Sequence, residues 1–153
     1  MRRNDRLISS TEEIEDIIEK AQMCRIGLSE NNNAYIIPMN FGYQDNCLYF
    51  HCASEGKKLA IVRKNNAVCF EMDIDNQTVK FTDNQCAWGT KYRSVIGFGR
   101  AFFVEDAGEK SNALNFITKH YGGNRHNFSE KELEKVVIFK IEISSITGKK
   151  AGY

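Results

Sequence analysis

The chain has 153 residues and a formal charge of +1, with 21 lysines and arginines against 20 aspartates and glutamates. A chain of this length buries roughly 68–70% of its unfolded surface, and 42% hydrophobic residues, 11% aromatics and a single proline exclude disordered, collagen-like and low-complexity classes. The balanced charge offers no field for nucleic acid or anionic lipid.

No stretch reaches the ~20 apolar residues of a membrane helix. The start Met1-Arg2-Arg3-Asn4-Asp5-Arg6 runs into an acidic segment rather than an apolar signal core. The expectation is a cytoplasmic protein with one domain over 1–153 that binds neither nucleic acid nor membrane. Five cysteines without a Cys-x-x-Cys pair argue against a disulfide framework or zinc site. The three histidines, His51, His120 and His126, identify no metal ligand set.

Ser9, Ser10 and Thr11, with Glu12 or Glu13 three residues on, open a helix over residues 11–21 whose Ile14, Ile17, Ile18 and Ala21 share a face. Cys24, Ile26 and Leu28 then alternate as a strand, Asn31–Asn33 turn, and residues 36–43 read as a second strand. A turn at Gln44–Asn46 leads to a third strand over 48–53, so this part of the sheet is antiparallel. A short helix within 54–66 precedes a fourth strand over 67–74, with Val68, Phe70 and Met72 on one face. Residues 75–90 read as a long polar loop carrying Trp88, of a length often functional.

A long strand over 91–106 leads into a helix capped by Asp106 and Glu109 and stopped by Gly122. Ser129 and Glu132 box another short helix before a final strand over 136–143. Strands without regular strand-helix-strand alternation predict a mainly β fold, an antiparallel barrel with peripheral helices.

Chemistry concentrates at Ser54-Glu55-Gly56-Lys57-Lys58, where a strand ends and a helix begins. Two lysines in a helix's first turn oppose its dipole. A phosphate there would meet free N–H groups and ammonium charges, with Gly56 allowing close approach; the alternative is a solvated basic turn. In the third strand Tyr49, His51 and Ala53 share one face and Leu48, Phe50 and Cys52 the other, so His51 and Cys52 cannot form a dyad. One face of such a strand meets the barrel interior and the other a ligand or second subunit, and His51 is either structural or a proton donor. Pro38 marks a sheet edge, ordinary or ligand-addressing. Val95, Gly97, Gly99 and Ala101 form a small-residue face that accommodates a backbone, a ring or a coiling bend.

The runs RRNDR, IIPMNFGY, LYFHCASEGKK, CAW, KYRSVIGFG and HYGG, in this order, resemble the nitroimidazole-resistance branch of the pyridoxamine-phosphate-oxidase-like flavoproteins. The resemblance covers about residues 1–149 and implies a split β-barrel holding FMN, or FAD, at a homodimer interface. It implies phosphate contacts from Ser54, Gly56, Lys57 and Lys58, and ring contacts from Pro38, Met39 and Asn40 and from His51, Cys52 and Ala53. It further implies a partner-derived segment of Tyr92, Arg93, Ser94 and Val95, with Trp88 near the rim. His51 matches the histidine beside the flavin ring.

The implied activity is flavin-dependent reduction of a small nitroaromatic or quinone-like acceptor, with His51 as the catalytic residue. The competing class is a non-catalytic flavin-binding or redox-sensing protein. Oxidation of pyridoxamine phosphate itself is disfavoured, because the ending Gly148-Lys149-Lys150-Ala151-Gly152-Tyr153 lacks an arginine-rich pattern.

Overall fold

The computed structural model describes residues 4–80 and 82–153; Met1, Arg2 and Arg3 of the opening run, and Phe81, lie outside the described residues. After a 3-10 turn at Asn4–Arg6 the order is β1 (Leu7–Ile8), α1 (Thr11–Lys20), β2 (Cys24–Glu30), β3 (Asn33–Met39), β4 (Gly42–Gln44), β5 (Cys47–Cys52), α2 (Lys57–Lys64) and β6 (Ala67–Val79). A second 3-10 turn at Gln85–Ala87 precedes β7 (Gly89–Val104), α3 (Ala107–His120), α4 (Glu130–Leu133) and β8 (Val137–Ala151). The caps sit where the sequence places them. The Ser10 hydroxyl accepts the Glu13 N–H at 3.2 Å, Asp106 accepts the Glu109 N–H at 2.8 Å, and Ser129 and Glu132 close a capping box.

The fold is mainly β, an open antiparallel sheet with peripheral helices. Its strand order is β3-β2-β6-β7-β8-β5-β4, with β1 beside β8. Among the described residues β3 pairs only with β2, and β4 only with β5. These two edges are nonetheless consecutive in the chain, joined by Asn40 and Phe41. The sheet is thus curled into a split barrel whose edges meet at a covalent seam rather than a hydrogen-bonded ladder.

Residues 36–43 are therefore two strands at opposite edges, not one. The break falls at Phe41, which is fully buried while Pro38 and Asn40 on the preceding strand face stay exposed. β6 also continues beyond 74. Asp75 takes φ 57° and the register slips between Ile74 and Gln77, after which the polar Gln77–Val79 still pair with Gly89–Lys91. This exposed arm rests on backbone bonds and carries no apolar alternation, so much of the expected polar loop is a hairpin. β8 likewise runs to Ala151, because an extra residue, Ser144, between Gly99↔Ile143 and Phe98↔Ser145 breaks the period of two.

Inward-facing Ile26, Leu28, Leu48, Phe50, Phe70, Met72, Val95 and Ile141 form the core, closed by Ile17 and Ile18 of α1 and Leu59 and Ile61 of α2. α3 covers a smaller cluster of Val104, Ala113 and Ile138 on the outer face, with Tyr49 packed against it. The glycines of β7 serve this core. A Cβ on Gly97 would stand 2.1 Å from Phe70 Cζ, and one on Gly99 2.3 Å from the Glu142 carbonyl oxygen. The ring and backbone for which the small-residue face makes room are the protein's own.

Candidate functional site

α2 opens without a side-chain cap, because its N-cap is Gly56. Gly56 has φ 138° and ψ 164°, a region essentially restricted to glycine. A Cβ there would meet nothing within 4 Å, so the space above the turn is open. Leu59 and Ala60 direct their N–H groups to the Gly56 carbonyl at 3.1 and 3.2 Å, leaving the earliest N–H groups of the helix without intrahelical acceptors. Ser54, Glu55 and Lys57 are exposed around them, and Lys58 is half-buried. The Lys57 ammonium lies 4.8 Å from the centre of the Tyr35 ring on β3, which ties the turn to the sheet edge. Free N–H groups, a positive helix end and the charges of Lys57 and Lys58 in the first turn lie beside this open space, an arrangement suited to an anion.

β5 delivers the chain to this turn. Leu48, Phe50 and Cys52 face inward and are buried, whereas His51 and Ala53 are exposed. The outer face of β5 is covered only in part, through Tyr49 against Phe116 of α3 at 5.1 Å between ring centres. Burial pushes the Cys52 thiol up, and Lys58 and Arg63 offset this only in part, so the thiol stays protonated and lies 3.7 Å from the Val137 carbonyl oxygen. All five cysteines are free.

Pro38 lies on the edge strand, opposite Arg25, with Met39 half-buried and Asn40 exposed. Because β4 pairs with β5 from Gly42↔Tyr49 onward, the seam brings Pro38–Asn40 to the β5 end that carries His51. The chain therefore brings Pro38, Met39, Asn40, His51, Cys52, Ala53, Ser54, Gly56, Lys57 and Lys58 to one end of the barrel.

Tyr92, Arg93, Ser94 and Val95 are not part of that assembly. β8 pairs with β5 at His51↔Ile138 and with β7 at Ser94↔Lys149; the stretch between is roughly 35 Å along the strand at ~3.3 Å per residue. Val95 is fully buried, backbone included, between Met72 of β6 and Gly148 of β8. The Arg93 guanidinium is held by Asp75 at 2.6 Å and Asp16 at 2.9 Å, and these carboxylates raise its pKa further. Trp88 follows the second 3-10 turn, its indole N–H donating to the Thr82 carbonyl at 3.0 Å with the Lys80 ammonium over its ring.

Sequence reasoning missed Tyr35, which precedes the strand read over residues 36–43, and the carboxylate partners of Arg93. It also missed what HYGG does: Tyr121 Oη accepts the Phe41 N–H at 3.2 Å. No signal in a single sequence reports such contacts across some 80 residues. The cleft beside Tyr35 and Lys57 encloses about 170 Å³, below the ~300 Å³ at which ligand pockets begin. Among the described residues no cluster of His, Cys, Asp and Glu is arranged to hold a metal, and no helix is long and apolar enough to cross a membrane.

The outer sheet face carries a row from Ile36 through Gly27, Cys69 and Phe98 to Ser145, and a neighbouring row from Pro38 through Arg25, Glu71 and Ile96 to Thr147. Ile36 is 69% exposed, Phe98 55% and Ile96 46%. The two rows form a partly apolar surface on this face. Arg25 sits in its midst, bound to Glu71 and Asp73.

The family described as pyridoxamine 5'-phosphate oxidase matches residues 10–150. Among solved structures, a candidate 5-nitroimidazole antibiotic resistance protein from Bacteroides thetaiotaomicron is 32% identical with a TM-score of 0.84, over 94% of this chain and 86% of that one. An FAD and heme binding protein from Mycobacterium smegmatis has a TM-score of 0.86 at 16% identity, over 97% and 74% of the two chains. An FAD-binding protein from Mesorhizobium loti has a TM-score of 0.72 at 22% identity, over 96% and 98%. These two likenesses concern the fold. No curated protein matches the sequence.

Proposed function

On the premise that this chain belongs to the pyridoxamine 5'-phosphate oxidase family, we propose that it is a homodimeric flavin-dependent reductase of the nitroimidazole-resistance type. Its cofactor is FMN, with FAD the alternative, and its substrate a small nitroaromatic or quinone-like acceptor. The observation that carries the reading is the α2 turn, where uncapped N–H groups, Gly56 at φ 138° and two lysines surround open space at the end of β5. A flavin phosphate fits this donor set in charge and in geometry.

When bound, the flavin carries the electrons. Ser54, Gly56, Lys57 and Lys58 bind its phosphate, while the backbones of Pro38–Asn40 and of His51–Ala53 orient and border the ring. His51 presents its imidazole to solvent on the side where an acceptor would stand, the side chain best suited to move a proton there. The partner supplies Tyr92 and Ser94, while Val95, buried between β6 and β8, only anchors that segment. Arg93, bound to Asp16 and Asp75, holds that segment rather than reaching the phosphate, and Trp88 lies at the rim.

The small volume of the Lys57 cleft and the exposed rows through Ile36 and Phe98 support a site completed by a second copy. The relative from Bacteroides thetaiotaomicron supports the nitroaromatic class.

The test is titration of purified protein with FMN and with FAD, followed by flavin fluorescence. Stoichiometric binding is expected, and it should be lost in the variant Lys57→Ala/Lys58→Ala. Wild-type protein that binds neither flavin overturns the function. A double variant that stays fully yellow overturns the phosphate site. Reduced flavin that added acceptor leaves reduced assigns a flavin-binding or sensing role in place of the enzyme.

A further inference from the structure

The seam between the two sheet edges has no ladder of its own, since among the described residues β3 pairs only with β2 and β4 only with β5. Its hydrogen bonds go elsewhere. The Phe41 N–H donates to Tyr121 Oη at 3.2 Å, and the Tyr121 hydroxyl donates to the Gln22 carbonyl at 3.1 Å, just past the end of α1. His120 packs against the Phe41 ring at 4.2 Å between centres, tilted by 46°, and bonds the Ala21 carbonyl through Nε2 at 2.8 Å; because a carbonyl only accepts, that nitrogen carries the proton.

α3 is built to deliver these two side chains. It lies so close on β4 that a Cβ at Gly42 would stand 2.5 Å from the Ile117 nitrogen. It ends as Gly122 takes φ 76° and Gly123 donates to the Thr118 carbonyl at 2.9 Å. Phe41, fully buried, is thereby fixed by two helix ends instead of by a neighbouring strand.

We propose that Tyr121, assisted by His120, is a positioning residue: its hydroxyl takes the place of the missing strand partner at Phe41 and so sets the placement of the adjoining Pro38–Asn40. The inference rests on the flavin reading above for its functional half, because Pro38–Asn40 are the residues proposed to border the ring. Tyr121 stands outside the cofactor contacts and acts only through the seam. In this fold a split barrel gains a defined aperture from one phenol bridging a strand amide and a helix-end carbonyl.

The variant Tyr121→Phe keeps the ring and removes both hydrogen bonds. Amide exchange at Phe41 in flavin-free protein should accelerate by about tenfold or more. Flavin affinity should fall roughly three- to tenfold, the worth of one net hydrogen bond, and the visible circular dichroism of bound flavin should change shape.

Asn115→Ala is the comparison, since it frees the loop bonded at His126 on the same helix without touching the seam; it should leave Phe41 exchange and the flavin spectrum as in the wild type. A Tyr121→Phe protein with wild-type protection at Phe41, or with faster exchange but an unchanged flavin spectrum and affinity, overturns the inference. Wild-type protein that binds no flavin refutes the functional reading alone. The Phe41 exchange, measured without flavin, then still decides whether Tyr121 holds the seam.

Discussion

Replacing Gly56 with alanine separates two quantities that meet at the α2 turn. The added methyl has nothing within 4 Å to collide with, so sterics cost nothing. The cost lies in the backbone, since φ 138° with ψ 164° is a conformation that costs an L-residue of order 1–3 kcal/mol. Against this, alanine restricts the unfolded chain and returns about 0.4–1 kcal/mol. The flavin-free protein should therefore lose about 1–2 kcal/mol, a fall of roughly 2–4 °C in Tm for each kcal/mol at this chain length.

Flavin binding should suffer separately, because the methyl would stand in the space assigned to the phosphate; affinity should drop more than tenfold. Urea unfolding of flavin-free protein measures the first effect and fluorescence titration the second. A variant that is more stable than the wild type would show that the turn is not held at this φ. A variant that loses stability yet binds flavin normally would show that the phosphate does not sit over Gly56.

The other predictions address the ring, the partner and the core. His51→Ala should leave flavin affinity within about twofold and slow reoxidation by a nitroaromatic acceptor by roughly a hundredfold, the lower end for losing a positioned acid or base; unchanged stopped-flow rates would assign His51 to packing. Light scattering should give a dimer for the wild type and a monomer for Phe98→Lys, since a charge at the centre of the exposed row through Ile36 and Cys69 opposes its burial; a dimeric variant would place the interface elsewhere. Gly97→Ala should cost about 1–3 kcal/mol through overpacking against Phe70. In combination with Phe70→Leu the loss should be at least ~1 kcal/mol less than the two single losses added, and strict additivity in denaturant unfolding would refute the contact.

The elements legible in the sequence are those set by neighbours along the chain. Ser10, Asp106 and Ser129 announce their helices because caps act over three residues, and Cys24, Ile26 and Leu28 announce β2 because one face is buried. The seam was not legible, since IIPMNFGY is apolar except at Asn40 and the break at Phe41 depends on contacts with the distant His120 and Tyr121. The hairpin beyond Ile74 was hidden because its strands face solvent on both sides, and β8 because Ser144 shifts its period.

At the candidate site, Gly56 and the two lysines stood out through their conflict with the helix dipole. Arg93 shows the opposite case. Its charge reads as available in sequence, yet it is already engaged by Asp16, 77 residues away, and by Asp75.

β8 is the strand on which the rest of the sheet depends, for it pairs with β1, β5 and β7 and is the last of them to be synthesised. Until it emerges from the ribosome, β5 and its partner β4 have no hydrogen-bonded ladder to the growing sheet, and β7 shows an open edge over sixteen residues. The nascent chain thus passes through a half-built state whose longest bare edge carries the exposed Ile96, Phe98 and Phe102. Such pairings between distant segments close slowly, and exposed edges of this kind recruit one another. Yield in the cell should accordingly be governed by how fast the last strand is made and by the chaperones that shield β7 in the meantime, more than by the stability of the finished barrel.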